Sequence, residues 1–105
     1  MKYPLKEVLM NNERKAYEEK LEAQLKERIA QIDLLRAKAE DAKADAKINY
    51  YNTIKALEGK LDAARAKLHE LKDSGDEAWD AVKTGVEKTW TEAKAAFHEA
   101  TSKFK

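Results

Sequence analysis

The chain carries near its C-terminal end the sequence Glu77-Ala-Trp-Asp-Ala-Val-Lys-Thr-Gly-Val-Glu87, which is followed at once by Lys88-Thr-Trp-Thr-Glu-Ala-Lys-Ala-Ala-Phe-His98. A truncated third copy, Glu99-Ala-Thr-Ser-Lys-Phe-Lys105, comes next. Trp79 and Trp90 occupy the same position of the repeat. Eleven residues make just over three turns of an α-helix, so each copy returns its apolar residues to nearly the same face. The repeat therefore predicts a helix with one face that leaves water.

The composition favours long helices over a large globular core. Charged residues make up 39% of the 105 residues, whereas average globular proteins have about 25%. The chain has three glycines and one proline, and most of its abundant residues are strong helix formers. This profile is typical of one all-α domain built from long amphipathic helices.

Charge and cysteine content argue against several functional classes. The net charge is +1, with 21 basic and 20 acidic residues interleaved, whereas nucleic-acid binders normally carry a basic excess. The absence of cysteine excludes disulfides and cysteine metal sites. The first ten residues are too short and too charged for a signal peptide, and no apolar run approaches the roughly 20 residues of a membrane span. We therefore expect a cytoplasmic protein without a nucleic-acid partner.

One very long helix is predicted over residues 13–73. No proline occurs in this range, and its only glycine is Gly59, which a long helix tolerates at a cost of about 1 kcal/mol. The apolar residues recur at spacings of three, four and eleven, which is typical of a weakly supercoiled coiled coil.

The N-terminal residues 1–12 allow two interpretations. Proline is tolerated at the first helical position, so a helix could begin at Pro4. Asn11 or Asn12 could cap a separate helix that starts at Glu13, or both could lie inside one longer helix. The sequence leaves this choice open, and residues 1–12 are either an N-terminal extension or the first helical turns.

A clear interruption is predicted at residues 74–76. Gly75 suits the left-handed position that follows many helices, and Ser74 or Asp76 can cap the next helix. The last helix then covers residues 76–105. A short connection between two long amphipathic helices normally folds them antiparallel, although a kink in one continuous rod is the alternative.

Counting outward from Gly75 pairs the last helix with the second half of the long one. Phe104 then approaches Tyr50, and large side chains face small ones at several levels. Burial of one large apolar side chain contributes roughly 1.5–3 kcal/mol, which favours the fold-back. The predicted hairpin core consists of Leu57, Leu61, Ala64, Leu68, Leu71, Trp79, Val82, Val86, Trp90, Phe97 and Phe104.

This fold-back leaves the first half of the long helix without a partner in the same chain. A helix gains little stability from an apolar stripe that is not packed, so we expect this arm to self-associate and the protein to form a homo-oligomer. The expected fold is all-α, with one very long helix and a shorter helix folded back as an antiparallel αα-hairpin or coiled coil. The predicted self-association seam consists of Tyr17, Leu21, Leu25, Ile32, Leu35, Ala39 and Ala42.

Residues capable of chemistry are few and favour a surface role. His69 and His98 lack the glutamate three residues earlier that a di-iron Glu-x-x-His motif requires. A carboxylate pair such as Asp41 and Asp45 needs a walled, dry pocket to shift its pKa values, and a rod of two helices offers none. We therefore predict no enzymatic activity, no cofactor and no metal site.

The Trp79/Trp90 face is the strongest binding candidate in the sequence. We favour its interpretation as hairpin core. Eleven-residue amphipathic repeats with tryptophan and phenylalanine also occur in helices that lie on membranes, so a lipid-surface protein is the alternative. Residues 76–105 carry five Lys and six Asp or Glu, however, and lack the usual basic excess. The leading hypothesis is a non-enzymatic, self-associating coiled-coil scaffold or interaction protein that binds a protein partner.

Three segments carry a family resemblance: Tyr17-Glu-Glu-Lys-Leu-Glu-Ala-Gln-Leu25, Gln31-Ile-Asp-Leu-Leu-Arg-Ala-Lys-Ala39 and Gly75-Asp-Glu-Ala-Trp-Asp-Ala-Val-Lys-Thr-Gly-Val-Glu-Lys-Thr-Trp90. With Phe97 and the final Ser-Lys-Phe, they resemble small bacterial "coiled coil domain-containing" proteins of unassigned function, some of which are associated with stress. The resemblance covers residues 13–105. It implies helical rods without enzymatic activity or a cofactor.

Overall fold

Three helices make up the part of the chain that the structure describes. This computed structural model describes the backbone of residues 5–104 and the side chains of residues 12–104. The helices are α1 (Leu5–Asp41), α2 (Ala44–Asp73) and α3 (Asp76–Lys103). Because α2 runs antiparallel to both of its neighbours, they form an elongated bundle measuring 68 × 19 × 19 Å.

The first helix begins before residue 13. It starts at Leu5 and continues through Asn11 and Asn12. Both asparagines therefore lie inside one longer helix, and neither caps a separate helix that starts at Glu13. Pro4 and Lys105 lie outside the described residues. The predicted helix start at Pro4 and the predicted extension of the last helix to residue 105 therefore stay predictions.

The prediction of one continuous helix over residues 13–73 is wrong, because the chain turns between α1 and α2. Lys43 has an extended backbone, with φ −69° and ψ 159°, and the amide of Ala42 donates to the carbonyl of Ala39 at 3.2 Å. The sequence has neither glycine nor proline at this turn. Tertiary packing therefore imposes a break that local propensity does not call for.

The packing of α1 on the other helices explains why the predicted helix over residues 13–73 is broken between α1 and α2. Breaking a helix forfeits a few backbone hydrogen bonds, each worth about 0.5–1.5 kcal/mol. Folding α1 back buries Leu21, Leu25 and Ile32 to 7% exposure or less, and each contributes roughly 1.5–3 kcal/mol. Among the described residues 37–46 the only buried side chain is that of Ala39, so a turn in this segment costs little packing.

Ser74 and Gly75 join α2 to α3. The Ser74 hydroxyl donates to the carbonyl of Leu71 at 2.7 Å and caps the end of α2. Gly75 is the N-cap of α3, with φ −73° and ψ 169°. The expected left-handed conformation of Gly75 and the expected capping of α3 by Ser74 or Asp76 are wrong, because the connection is extended at both of its residues.

One apolar core runs along all three helices. Among the described side chains no polar or charged residue is fully buried, so burial of apolar surface supplies the main stabilisation. The buried residues of the core are Leu21, Leu25, Ile32, Ala39, Ile54, Leu57, Leu61, Ala64, Leu68, Leu71, Trp79, Val86, Trp90, Ala93, Phe97 and Ala100.

Spin labels at positions 22 and 72 test the return of α1 along α2. Glu22 and Lys72 form an ion pair between these helices, so labels on Glu22→Cys and Lys72→Cys should lie within about 25 Å, two helix diameters. Double electron–electron resonance gives this distance, and dilution with unlabelled chain removes contributions between molecules. A separation near the roughly 75 Å of one continuous helix would contradict the bundle.

Alanine substitutions in α1 measure how much its packing stabilises the chain. Ile32 is 3% exposed and Leu34 is 57% exposed. We expect Ile32→Ala to lower the free energy of unfolding by about 2–5 kcal/mol and Leu34→Ala to change it by less than about 0.5 kcal/mol. Chemical denaturation monitored by circular dichroism checks both values. Equal, small effects would mean that α1 does not pack inside its own chain.

Candidate functional site

The residues predicted for the hairpin core face one another in the bundle, with two exceptions at its edge. Val82 and Phe104 are only partly buried. The ring of Phe104 stacks on that of Tyr50 at 4.1 Å between centroids, with 15° between their planes, as the register counted from Gly75 predicts. The buried members of the predicted set are Leu57, Leu61, Ala64, Leu68, Leu71, Trp79, Val86, Trp90 and Phe97.

The residues predicted for the self-association seam lie inside the same bundle. The expectation that the first half of the long helix lacks an intrachain partner is wrong, because α1 folds back on α2 and covers its own seam. The apolar residues of the predicted seam are therefore buried without a second chain. Leu21, Leu25, Ile32 and Ala39 are buried, while Tyr17, Leu35 and Ala42 are partly buried.

An aromatic and cationic cluster closes the N-terminal end of the seam between α1 and α3. The rings of Tyr17 and Trp79 meet edge to face, with centroids 5.7 Å apart. The guanidinium of Arg14 and the ammonium of Lys83 lie 5.4 and 5.3 Å from the centroid of the Trp79 ring. Such cation–π contacts contribute about 0.5–1 kcal/mol each at partly exposed sites, so this end of the seam is held shut.

Arg14 also ties the start of α1 to the turn between α2 and α3. Its guanidinium pairs with the carboxylate of Asp76 and donates to the carbonyl of Ser74 at 2.9 Å. The Arg14 side chain is 17% exposed, which strengthens these contacts relative to a fully solvated pair. Sequence reasoning missed this role, because a single arginine in a highly charged helix carries no distinguishing pattern.

Tyr17 carries the clearest electrostatic shift among the described residues. Partial burial raises the pKa of its phenol, and the negative charge of Glu87 raises it further. The hydroxyl also donates a hydrogen bond to Oε1 of Glu87 at 3.4 Å. All three effects favour the neutral phenol, so this residue serves as a reporter of contact between α1 and α3.

The opposite end of the same seam is open. A groove of ≈400 Å³ lies between the last turns of α1 and α3. We call it the distal groove. Its floor is largely apolar, and Leu34 on its edge is 57% exposed. The lining residues are Gln31, Leu34, Leu35 and Lys38 of α1 with Phe97, Ala100, Thr101 and Phe104 of α3.

Side-chain size explains why α1 and α3 stand apart there. α2 packs closely on both other helices, whereas the backbones of α1 and α3 hardly approach each other. Large groups fill the space between them, including Tyr17 against Trp79 and the guanidinium of Arg28, which lies 5.2 Å from the centroid of Phe97. Interaxial distances between packed helices depend on the side chains at the contact, so the groove reflects the size of the groups that separate α1 from α3.

The groups considered for chemistry lie on the surface. The side chain of His69 is 78% exposed and lies 3.2 Å from the carboxylate of Asp73, and His98 is exposed. Asp41 and Asp45 are exposed as well. Within the described residues no group of three His, Asp or Glu side chains is arranged to hold a metal ion.

Comparisons of this chain with known protein families, with curated proteins and with solved structures give no match. The resemblance to coiled coil domain-containing proteins therefore stays a prediction. None of the helices in residues 5–104 combines the length and apolar character that crossing a bilayer requires.

A pH titration of Tyr17 tests the contact between α1 and α3. We expect the difference in phenolate absorbance between the wild type and Tyr17→Phe to have its midpoint above the ordinary value of 10.0. Glu87→Gln should lower that midpoint only in part, because burial is the larger cause. The folded state favours the neutral phenol, so its contribution to stability is complete below pH 10 and declines as the pH rises through the folded-state pKa. A midpoint at or below 10.0 would contradict the contact.

Proposed function

We propose that this protein is a non-enzymatic interaction module that docks a partner helix in the distal groove. The observation that carries the proposal is an apolar groove of ≈400 Å³ open between two helices of a narrow bundle. Grooves of this kind recognise the apolar face of amphipathic helices through side chains spaced by three, four and seven residues. A helix in this position would extend the three-helix bundle toward a four-helix arrangement.

The groove leaves apolar surface in water that a partner would cover. Leu34 is 57% exposed, and Leu35 and Phe104 are only partly buried. Covering a large apolar side chain completely contributes roughly 1.5–3 kcal/mol, so three partly open ones supply a useful fraction of the affinity of a transient complex. Their grouping in one groove makes them a better docking candidate than isolated exposed residues such as Ile48.

The placement of the polar residues supports a binding role over a catalytic one. His69, His98 and the carboxylates paired in sequence lie on the solvated outside of the bundle, where solvent screens their interactions. Catalytic acids and bases usually have pKa values shifted by burial or by a partner. The clearest shift, at Tyr17, is accounted for by the packing of α1 on α3.

Self-association stays a prediction of its own. The stripe proposed for it from sequence packs inside the closed bundle, so a homo-oligomer of closed bundles would use another surface. Some of the coiled coil domain-containing proteins that the sequence resembles are associated with stress, and we propose a stress-related process as the setting of the module. Sedimentation equilibrium over a range of protein concentrations measures the oligomeric state directly.

A synthetic helix with an apolar stripe and a neutral polar face tests the docking proposal. We expect amide chemical-shift changes in the distal groove, at residues such as Gln31 and Thr101, when the peptide is added to the isotope-labelled protein. Leu34→Glu should abolish the changes, because it places a charge on the apolar edge. Ile48→Glu is the matched control, since Ile48 is 59% exposed and lies outside the groove. Shift changes elsewhere, or equal effects of both variants, would contradict the proposal.

A second candidate, binding to a lipid surface through the Trp79/Trp90 face, is favoured by one observation. Within the described residues, the indole Nε1 atoms of both tryptophans are buried without a hydrogen-bond acceptor from the protein. A buried unpaired donor costs about 1–3 kcal/mol. Tryptophan at a membrane interface can donate this hydrogen bond while its ring is in an apolar layer, so opening the bundle on lipid would relieve the cost.

Tryptophan fluorescence in the presence of vesicles with brominated acyl chains separates the two candidates. Trp79 and Trp90 are each 8% exposed in the closed bundle. Helix docking in the distal groove leaves them out of reach of the bromine quencher, and their emission unchanged. Lipid binding through the opened face would quench both, and that result would favour the second candidate.

A further inference from the structure

The distal groove has a cationic lining as well as an apolar floor. Lys38 lines it directly, and the Arg28 guanidinium lies 5.2 Å from the centroid of Phe97, one of its floor residues. Lys94 precedes Phe97 by three residues and Thr101 by seven, spacings that place it on the same side of α3. One cation therefore lines the groove, and Arg28 and Lys94 each lie one helical turn before its first lining residue on their helix.

Within residues 12–104 these cations have no carboxylate partner of their own. Among the described side chains, Lys38 and Lys94 take part in none of the ion pairs within 4.0 Å. Arg28 donates to the neutral amide oxygen of Gln31 at 3.0 Å. By contrast, Arg14, Arg36 and the ammonium of Lys72 are all paired with carboxylates elsewhere in the bundle. The three cations can therefore pair with carboxylates of a bound partner.

Carboxylates flank the groove without entering it. Glu27 and Asp41 lie one helical turn beyond its lining residues at either end of α1, four residues before Gln31 and three after Lys38. Arg28 and Lys38 lie near the same two ends of the groove, and of these four charged residues only Lys38 is among the lining residues. A partner would therefore place its negative charge opposite Lys38 and Arg28 and away from Glu27 and Asp41.

The same charges argue against a second copy of this groove as the occupant. Two copies facing each other about a twofold axis would bring like-charged lysines together, and like charges across an interface cost affinity. An acidic helix has the opposite effect, because its carboxylates would meet Arg28, Lys38 and Lys94 while its apolar stripe covers Leu34.

We propose that the distal groove recognises an acidic amphipathic helix, with the apolar stripe seated on Leu34, Leu35 and Phe104 and carboxylates on its polar face paired with Lys38, Lys94 and Arg28. The proposal rests on the docking function described above and specifies its partner. Residues 28–38 of α1 flank the groove over about 15 Å at 1.5 Å per residue, so about three helical turns of the partner fit.

Three peptides with the same apolar stripe test the charge preference. Their central polar positions carry glutamate, glutamine or lysine, and their affinities are measured by isothermal titration calorimetry at low salt. We expect the glutamate peptide to bind most tightly and the lysine peptide most weakly. Raising the salt concentration should narrow the difference, because exposed charges are screened beyond about 10 Å at 0.1 M.

Charge-removing variants locate the effect in the groove. The double variant Lys38→Gln/Lys94→Gln should weaken binding of the glutamate peptide by about twofold to thirtyfold, the range for two exposed ion pairs. Its effect on binding of the glutamine peptide should be smaller, because that peptide offers the two lysines no carboxylate. Lys55→Gln/Lys88→Gln is the control with the same change in net charge, at exposed positions outside the lining, and should leave both affinities near those of the wild type.

The outcomes separate this inference from the function on which it rests. Equal affinities of the glutamate and glutamine peptides, with shift changes still confined to the groove, would overturn the acidic preference and leave helix docking intact. Failure of all three peptides to bind would overturn both. Shift changes in the groove on adding anionic vesicles, without binding of the glutamate peptide, would replace the acidic helix with a lipid headgroup. A dimer whose interface includes Leu34 would replace it with a second copy.

Discussion

The structure depends on the burial of the apolar stripe of α1 against the other two helices. That stripe supplies Leu21, Leu25, Ile32 and Ala39 to a core that α2 and α3 alone would leave half open. Covering it requires the chain to reverse between Asp41 and Ala44, at a position with neither glycine nor proline. The break, the parallel placement of α1 beside α3 and the grooves between them all follow from this one requirement.

Side-chain size then determines where the seam between α1 and α3 is closed and where it is open. Where Tyr17 meets Trp79, aromatic packing and cations close the seam between α1 and α3. Toward the other end Phe97 and the partly buried Phe104 keep the helices apart without filling the space between them. Under the proposed function, a partner would contact only the distal groove. The rest of the surface would then have no partner to bind, which agrees with its mixed charges.

The amphipathic pattern predicted the all-α class, the residues around Gly75 predicted the turn before Asp76, and the register counted from Gly75 predicted that Phe104 approaches Tyr50. It did not predict the turn between α1 and α2. Local propensity over residues 37–46 favours helix, and only the energy of long-range burial overrides it. A sign was present in the sequence, since no large apolar residue lies between Leu35 and Ile48. The distal groove was also beyond sequence reasoning, because it exists only once α1 and α3 lie side by side.

The extended backbone at Lys43 has a consequence for chains at high concentration. Nothing in the residues around it prevents a continuous helix, so α1 can straighten away from its own hairpin and pack on that of another molecule. Such a domain-swapped pair would bury the same core residues and differ mainly in the turn and in the entropy of association. Such an exchange would link the closed bundle to the long rod expected from the sequence, and protein concentration would set the balance between them. Sedimentation velocity on samples of rising concentration would reveal the exchange as an elongated dimer, and its absence throughout would show that the turn stays closed.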